Sequence, residues 1–310
     1  MKDLIDFTNC KVDNTYLYRG QNGKKIGINY NNHIYMLKFP PFKEDVENYS
    51  NSCISEYVAC HILASMGFNV QETLLGKYTL ENNKTKTVCA CKDFTENNYI
   101  LKEFAELKNS IINSSANGYG TDLIEVIDTI NEQNLYPNDK LKDFFWDMFI
   151  ADSLLGNFDR HNGNWGFLIN RDTKEVEIAP IFDCGSCLYP QLQDSQMKEY
   201  INKPEEINKR IYIFPNSALK LNDKKINYYD FINSGKVDEC NKALLRVYPK
   251  IDFRKINDII DNTPSISDIR KDFYKTILQE RYEKILTPQY QKLQKALCNT
   301  NDEETEEDEI

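Results

Sequence analysis

The spacing of apolar residues changes once along this 310-residue chain, and that change limits its fold more than any other feature. Up to about residue 91 the pattern is one of short alternating runs, at 15–19, 24–30, 34–39, 74–78 and 87–91. Alternation of this kind, interrupted by turn chemistry at Gly20-Gln21-Asn22-Gly23 and Asn31-Asn32, predicts strands. Pro40-Pro41 closes the third run, because proline cannot donate to a ladder. One helix interrupts the series: apolar residues at 54, 57, 58, 62 and 66 predict it over 52–66, with Asn51 or Ser52 as cap and Gly67 as terminator. From Leu101 onward the spacing turns helical, most clearly over 141–155, where Gly156 ends an amphipathic stripe, and over 268–286. Two short strands, 166–169 and 175–179, flank Asn170-Arg171-Asp172-Thr173. The expected class is α+β, a small β-rich unit over 1–96 before a larger helical one over 97–298.

Charge and cysteine content exclude several classes of function. The net charge is −10, but seven acids between Asp302 and Glu309 supply most of it. A like-charge block with nothing apolar to bury predicts disorder over 299–310. Neither the near-neutral body nor the acidic end offers the basic footprint of a nucleic-acid binder, so no direct nucleic-acid binding is expected. No apolar run reaches the roughly 20 residues of a membrane span, and no membrane association is expected. Nine cysteines behind an N-terminus without an apolar leader predict reduced thiols and a cytoplasmic location. Cys89 with Cys91 and Cys184 with Cys187 make a poor zinc set in a chain with three histidines.

The chemistry concentrates in Asn157-Phe158-Asp159-Arg160-His161-Asn162-Gly163-Asn164, directly behind the 141–155 helix. Asp159 and Asn164 have the D-x-x-x-x-N spacing of a kinase catalytic loop, where the aspartate meets the acceptor hydroxyl and the asparagine reaches magnesium. Ile181-Phe182-Asp183-Cys184-Gly185 follows, an apolar strand delivering a second metal carboxylate, Asp183, into a turn. Phosphoryl transfer needs such a pair because charge on the phosphate oxygens is neutralised by a hard cation with oxygen ligands. Each piece alone also reads as a solvated turn or a turn cap; their order and spacing together favour a phosphotransferase. His161 is assigned to structure, since no serine or cysteine nucleophile accompanies it.

Strand alternation places Ile34, Met36 and Lys38 on one face and Tyr35, Leu37 and Phe39 on the other. Lys38 is either an edge lysine reaching water or a phosphate-binding cation, and the second role requires a carboxylate, for which Glu56 in the following helix is the candidate. Gly20 and Gly23 would let backbone N–H groups approach phosphates, although hairpin glycines are common for conformational reasons alone. Adenine is placed, by order only, beside Cys91, Lys92, Asp93 and Phe94. No Walker A motif is present. An uncharged, mixed surface at Tyr189-Pro190-Gln191-Leu192-Gln193 suits an extended peptide acceptor better than an anionic lipid. A lipid or small-molecule kinase, or a binding module without catalysis, are the other classes; the latter would have lost Lys38, Asp159, Asn164 or Asp183.

At these residues the chain resembles the HipA-like kinases, from about Tyr16 to Leu286. Tyr35-Met36-Leu37-Lys38-Phe39-Pro40, Ser55-Glu56-Tyr57-Val58-Ala59-Cys60-His61 and Ala179-Pro180-Ile181-Phe182-Asp183-Cys184-Gly185-Ser186 carry the resemblance, and the D-R-H-x-x-N loop is also similar to that of phosphatidylinositol kinases. It implies a two-lobed protein-kinase-like fold, ATP and Mg2+ as cofactors, and serine or threonine in a protein substrate as acceptor. Classical members have a further N-terminal segment and act with a DNA-binding antitoxin. Here the core opens within twenty residues, so an antitoxin partner is not expected. Their glycine turn also holds a phosphorylatable serine, which Gly20-Gln21-Asn22-Gly23-Lys24-Lys25 lacks.

Overall fold

The computed structural model of the chain describes residues 3–16, 18, 24–40, 51–112 and 116–307, with 300–307 described in backbone only. Gly20 and Gly23 lie outside the described residues. A six-stranded sheet is built from β1 (Ile5–Asp6), β2 (Lys11–Asp13), β3 (Lys25–Tyr30), β4 (His33–Lys38), β5 (Thr73–Thr79) and β6 (Thr85–Lys92), in the order β1-β5-β6-β4-β3-β2. Only β1 with β5 is parallel. Asn31 and Asn32, with φ of 50° and 63°, form the two-residue turn that joins β3 to β4. Their left-handed backbone matches strand twist, so the turn fixes the register and sets Lys25 opposite Lys38.

The alternation of β4 sorts its residues as the sequence implies. Tyr35, Leu37 and Phe39 pack with Phe7, Ile28, Val88 and Ala90 on one face. Met36 lies on the other face with Cys53, Leu75, Cys89 and Cys91, toward helix α1 (Ser52–Ser65). Asn51 is the N-cap position of α1, but its side chain makes no capping bond; Gly67, with φ +84°, follows the C-cap. The sequence misplaces one strand. Thr15 sits in a turn, not in a strand over 15–19, and β1 and β2 form the two opposite edges of the sheet.

A second, antiparallel sheet is built from β7 (Tyr99–Glu103), β8 (Gly166–Asn170) and β9 (Val176–Ile178). A Cβ at Gly166 would fall 2.2 Å from the Lys102 carbonyl oxygen, so the close approach of β7 requires glycine there. The helical part comprises α2 (Phe104–Ile111), α3 (Leu123–Glu132), α4 (Asn138–Leu155), α5 (Asp194–Ile201), α6 (Pro204–Tyr212), α7 (Tyr228–Ser234), α8 (Asp238–Val247), α9 (Phe253–Asp261), α10 (Asp268–Arg281) and α11 (Thr287–Glu307).

Helix α4 is the core of this half. Phe145, Trp146, Met148, Phe149, Ile150, Leu154 and Leu155 are all buried. Each such side chain contributes about 1.5–3 kcal/mol on burial. The helix is buried on nearly every side and not on one stripe, and it takes Asp152 and Ser153 inside with it. Gly156, φ +66°, stops it in the left-handed conformation and turns the chain into the 157–164 loop.

Two further departures from the sequence reading occur. The segment between α6 and α7 forms a hairpin, β10 (Asn216–Leu221) and β11 (Lys224–Asn227), turned by Asn222 and Asp223 at φ 52° and 63°. Helix α10 passes through a π-helical turn at Tyr282–Leu286 into α11. Helix α11 runs to Glu307, beyond residue 299, where composition predicts disorder. Extending a nucleated helix adds a hydrogen bond for each residue fixed, so an acidic end can continue one it would not start. No described helix is long and apolar enough to cross a membrane.

Candidate active site

Three elements far apart in sequence deliver one charged cluster. Lys38 ends β4, Glu56 sits in the first turns of α1, and Asp183 follows the 179–182 segment. Lys38 Nζ lies 2.9 Å from Glu56 Oε2 and 3.0 Å from Asp183 Oδ1. The second oxygen of Glu56 accepts the backbone N–H of Cys184 at 3.0 Å, so this buried carboxylate is held from two sides.

Burial by itself would lower the proton affinity of Lys38, but Asp183 and Glu56 outweigh it and hold the ammonium well above its usual range. Lys38 in turn holds the Asp183 carboxyl down, to about 2, against the effect of burial. Burial pushes Glu56 up, with Lys38 opposing. Asp183 has φ +55°, a conformation that side chains with a Cβ rarely adopt and that recurs at functional sites.

The loop behind α4 is folded around its own polar groups. Asn157 Oδ1 accepts the Asp159 N–H at 3.0 Å. The Asp159 carbonyl accepts from the His161 N–H and from Asn164 Nδ2, both at 2.8 Å. His161 Nδ1 accepts the Gly163 N–H at 3.0 Å, which gives His161 a role in shaping the turn. Arg160 turns inward: its Nε donates to Asp152 Oδ2 at 3.0 Å, and its Nη1 donates to the carbonyls of Asn164 and Phe182. One guanidinium thereby ties the loop to the residue preceding Asp183. Burial raises the Asp159 carboxyl, aided by Asp183 and opposed by His161, Lys225 and Arg160.

The donor set fits a hard cation that arrives with phosphate. Asn164 spends its Nδ2 on the loop, which leaves the amide carbonyl as its oxygen donor, and Asp183 is held ionised. Among the described residues no cluster of three or more His, Cys, Asp or Glu is arranged to hold a metal unaided. Magnesium takes few protein ligands and completes its shell with water and phosphate.

The residues assigned to adenine do not all meet the same space. Cys91 is fully buried beneath α1, on the face of the sheet that carries Met36. The Lys92 N–H donates to the Glu72 carbonyl and its carbonyl accepts from Gln71 Nε2, so its backbone is engaged within the protein. Asp93 accepts from Tyr18 Oη at 2.8 Å and from Thr95, and its N–H donates to the Ile34 carbonyl. Phe94 stands with its ring centroid 5.6 Å from that of Phe182, beside the Asp183 turn. Lys92, Asp93 and Phe94 line a cavity of about 300 Å³ with Val70, Gln71 and Leu168.

Three residues of the site escaped the sequence reading. Lys25, opposite Lys38 in the ladder, faces the same carboxylates, and the Asn31-Asn32 turn would have placed it there. Arg160 has no signal beyond its neighbours. Lys225 comes from the β10–β11 hairpin and only the tertiary structure brings it to the catalytic loop. There it lines a cavity of about 710 Å³ with Phe158, Tyr189, Gln191, Phe214 and Asn216.

Residues 16–263 match the HipA-like C-terminal domain. The chain is 53% identical over 285 residues to the serine/threonine-protein kinase CtkA of Helicobacter pylori, covering 91% of this chain and 86% of that protein. It superposes on the crystal structure of the H. pylori proinflammatory kinase CtkA with a TM-score of 0.87 and 51% identity, covering 94% of this chain and 98% of that one. Shewanella oneidensis HipA, solved with HipB and operator DNA, is similar in fold alone: TM-score 0.52, 15% identity, 87% of this chain and 67% of that one. With a family match across most of its length and a relative more than half identical, the chain belongs to the HipA-like kinase family.

Proposed function

We propose that this protein is an ATP-dependent serine/threonine kinase that transfers the γ-phosphoryl group to hydroxyls of proteins, itself included. The observation that carries the reading is the convergence of Lys38, Glu56 and Asp183 within 3.0 Å, with Arg160 fastening the Asp159 loop to the same segment. Catalysis of phosphoryl transfer is mostly positioning and charge stabilisation, and the site is built for both.

Lys38, kept protonated, binds the phosphates, and Lys25 adds a second cation from the neighbouring strand. Glu56 holds Lys38 in place and is itself fixed by the Cys184 N–H. Asp159 takes the proton of the acceptor hydroxyl as its oxygen bonds to the γ-phosphorus; the bond to the β,γ-bridging oxygen breaks and ADP leaves. Its raised proton affinity suits a base. Asn164 and Asp183 would hold magnesium, which supplies the charge that neutralises the β- and γ-phosphate oxygens. Adenine is assigned to the 91–94 segment on the Phe94 side, and Gly20 and Gly23 to the phosphate-covering turn.

A protein acceptor is favoured by the cavity beside Phe158, whose lining is uncharged except for Lys225 and presents Gln191, Gln193, Gln196 and Asn216 to a peptide backbone. The test offers labelled ATP and magnesium to the purified protein together with a protein extract and, separately, phosphoinositide vesicles. Label in protein, absent with Asp159→Asn, supports the reading. Label in lipid and in no protein, the kinase included, overturns it.

A further inference from the structure

The β10–β11 hairpin carries a like-charge arrangement that the fold does not explain. Lys220 and Lys225 are directly opposed in the ladder, so their side chains share one face, and both are exposed. Like charges directly opposed across two strands are destabilising. Lys224, also exposed, adds a third positive charge on the next residue. Among the described residues none of the three has an ion-pair partner. By contrast Lys209 and Arg210, in the preceding helix, both pair with Glu206.

The hairpin is not a loose surface feature. The Lys220 N–H donates to the Thr121 carbonyl, and Asn227 Nδ2 donates to the Tyr212 carbonyl at 3.0 Å and to Asn216 Oδ1 at 3.0 Å. Directly after β11, Tyr228 Oη donates to the Asn157 carbonyl at 2.6 Å, two residues before Asp159. The lysines are therefore held in fixed relation to the catalytic loop. Lys225 is the one charged side chain in the lining of the 710 Å³ cavity, which it shares with Phe158.

We infer that Lys225 and Lys220 form a subsite for carboxylates of the acceptor, so that the enzyme selects serine or threonine in acidic segments. This deepens the kinase reading and rests on it. An anionic side chain near the hydroxyl would relieve the Lys220–Lys225 repulsion and the amide-rich lining would take the peptide backbone. The chain contains such a segment: Thr305 lies between Glu304 and Glu306, with Asp302, Glu303, Glu307, Asp308 and Glu309 around it.

The experiment compares a synthetic peptide of sequence 299–310 with its counterpart in which every Asp is Asn and every Glu is Gln, both with full-length protein, labelled ATP and magnesium. We expect kcat/KM about tenfold higher for the acidic peptide, mainly through KM, and a preference that shrinks as salt rises. Lys220→Glu and, independently, Lys225→Glu should each weaken the preference, and Lys220→Glu should do so while KM for ATP and the melting temperature stay near wild type. Equal kcat/KM for the two peptides, or a preference that survives both charge reversals, overturns the inference and leaves the kinase reading intact. A wild-type protein that labels neither peptides, nor extract, nor itself overturns both.

Discussion

Glu56 accepts the backbone N–H of Cys184 at 3.0 Å across 128 residues of sequence, with its other oxygen on Lys38. The helix that carries Glu56 is thereby locked to the turn that carries Asp183. Under the proposed roles, nucleotide contacts from the sheet and metal contacts from the helical half depend on one buried carboxylate.

That dependence predicts non-additivity. Lys38→Met and Glu56→Gln each remove the same contact, so the double variant should lose little more phosphotransfer than the worse single one. A double-mutant cycle on kcat/KM measures this; simple addition would separate the two residues.

Asp159→Asn should lower turnover by about 10²–10⁴ with ATP affinity little changed, because a base that acts in the transition state is removed while the nucleotide contacts stay. Single-turnover rates and nucleotide titration make the comparison. Asp183→Ala should instead abolish the magnesium dependence of nucleotide binding, and calorimetry with and without magnesium reads that loss.

Arg160→Met should cost about 3–5 kcal/mol of stability, since it leaves the buried Asp152 carboxylate of α4 without its countercharge and with only the Asn157 amide as a side-chain donor. Denaturant midpoints measure the loss. The same change frees the carbonyls of Asn164 and Phe182, so residual folded protein should also transfer phosphate poorly.

The Lys38–Asp183 contact makes stability depend on pH. Lys38 depresses the Asp183 carboxyl to about 2, below the value of about 3.8 for the unfolded chain, so the contribution is complete above about pH 4 and is lost as pH falls toward 2. Without nucleotide and metal, the gap in melting temperature between wild type and Asp183→Asn should be constant near neutrality and narrow below pH 4. A gap unchanged down to pH 3 would show that the contact contributes nothing.

Local chemistry was enough to write much of this protein in its sequence. The Asn31-Asn32 turn, the alternation through Lys38, the helix after Asn51 and the stop at Gly156 follow from backbone preferences and periodicity, which act over a few residues. The spacing of Asp159, Asn164 and Asp183 is local for the same reason. The β1 and β2 strands are too short for a periodic signal, and the β10–β11 hairpin was hidden because its Asn222-Asp223 turn lies between helices.

Tertiary structure decided the rest. Whether Lys38 reaches water or a carboxylate depends on where α1 packs, and the role of Arg160 depends on a partner, Asp152, that sits on the buried face of α4. Lys225 meets the 157–164 loop because the hairpin is packed there, with Tyr228 bonded to Asn157 and the Lys220 N–H to Thr121. Burial and charge pairing are set by residues more than a hundred positions apart, as between Lys38 and Asp183, and no short window of sequence contains both partners.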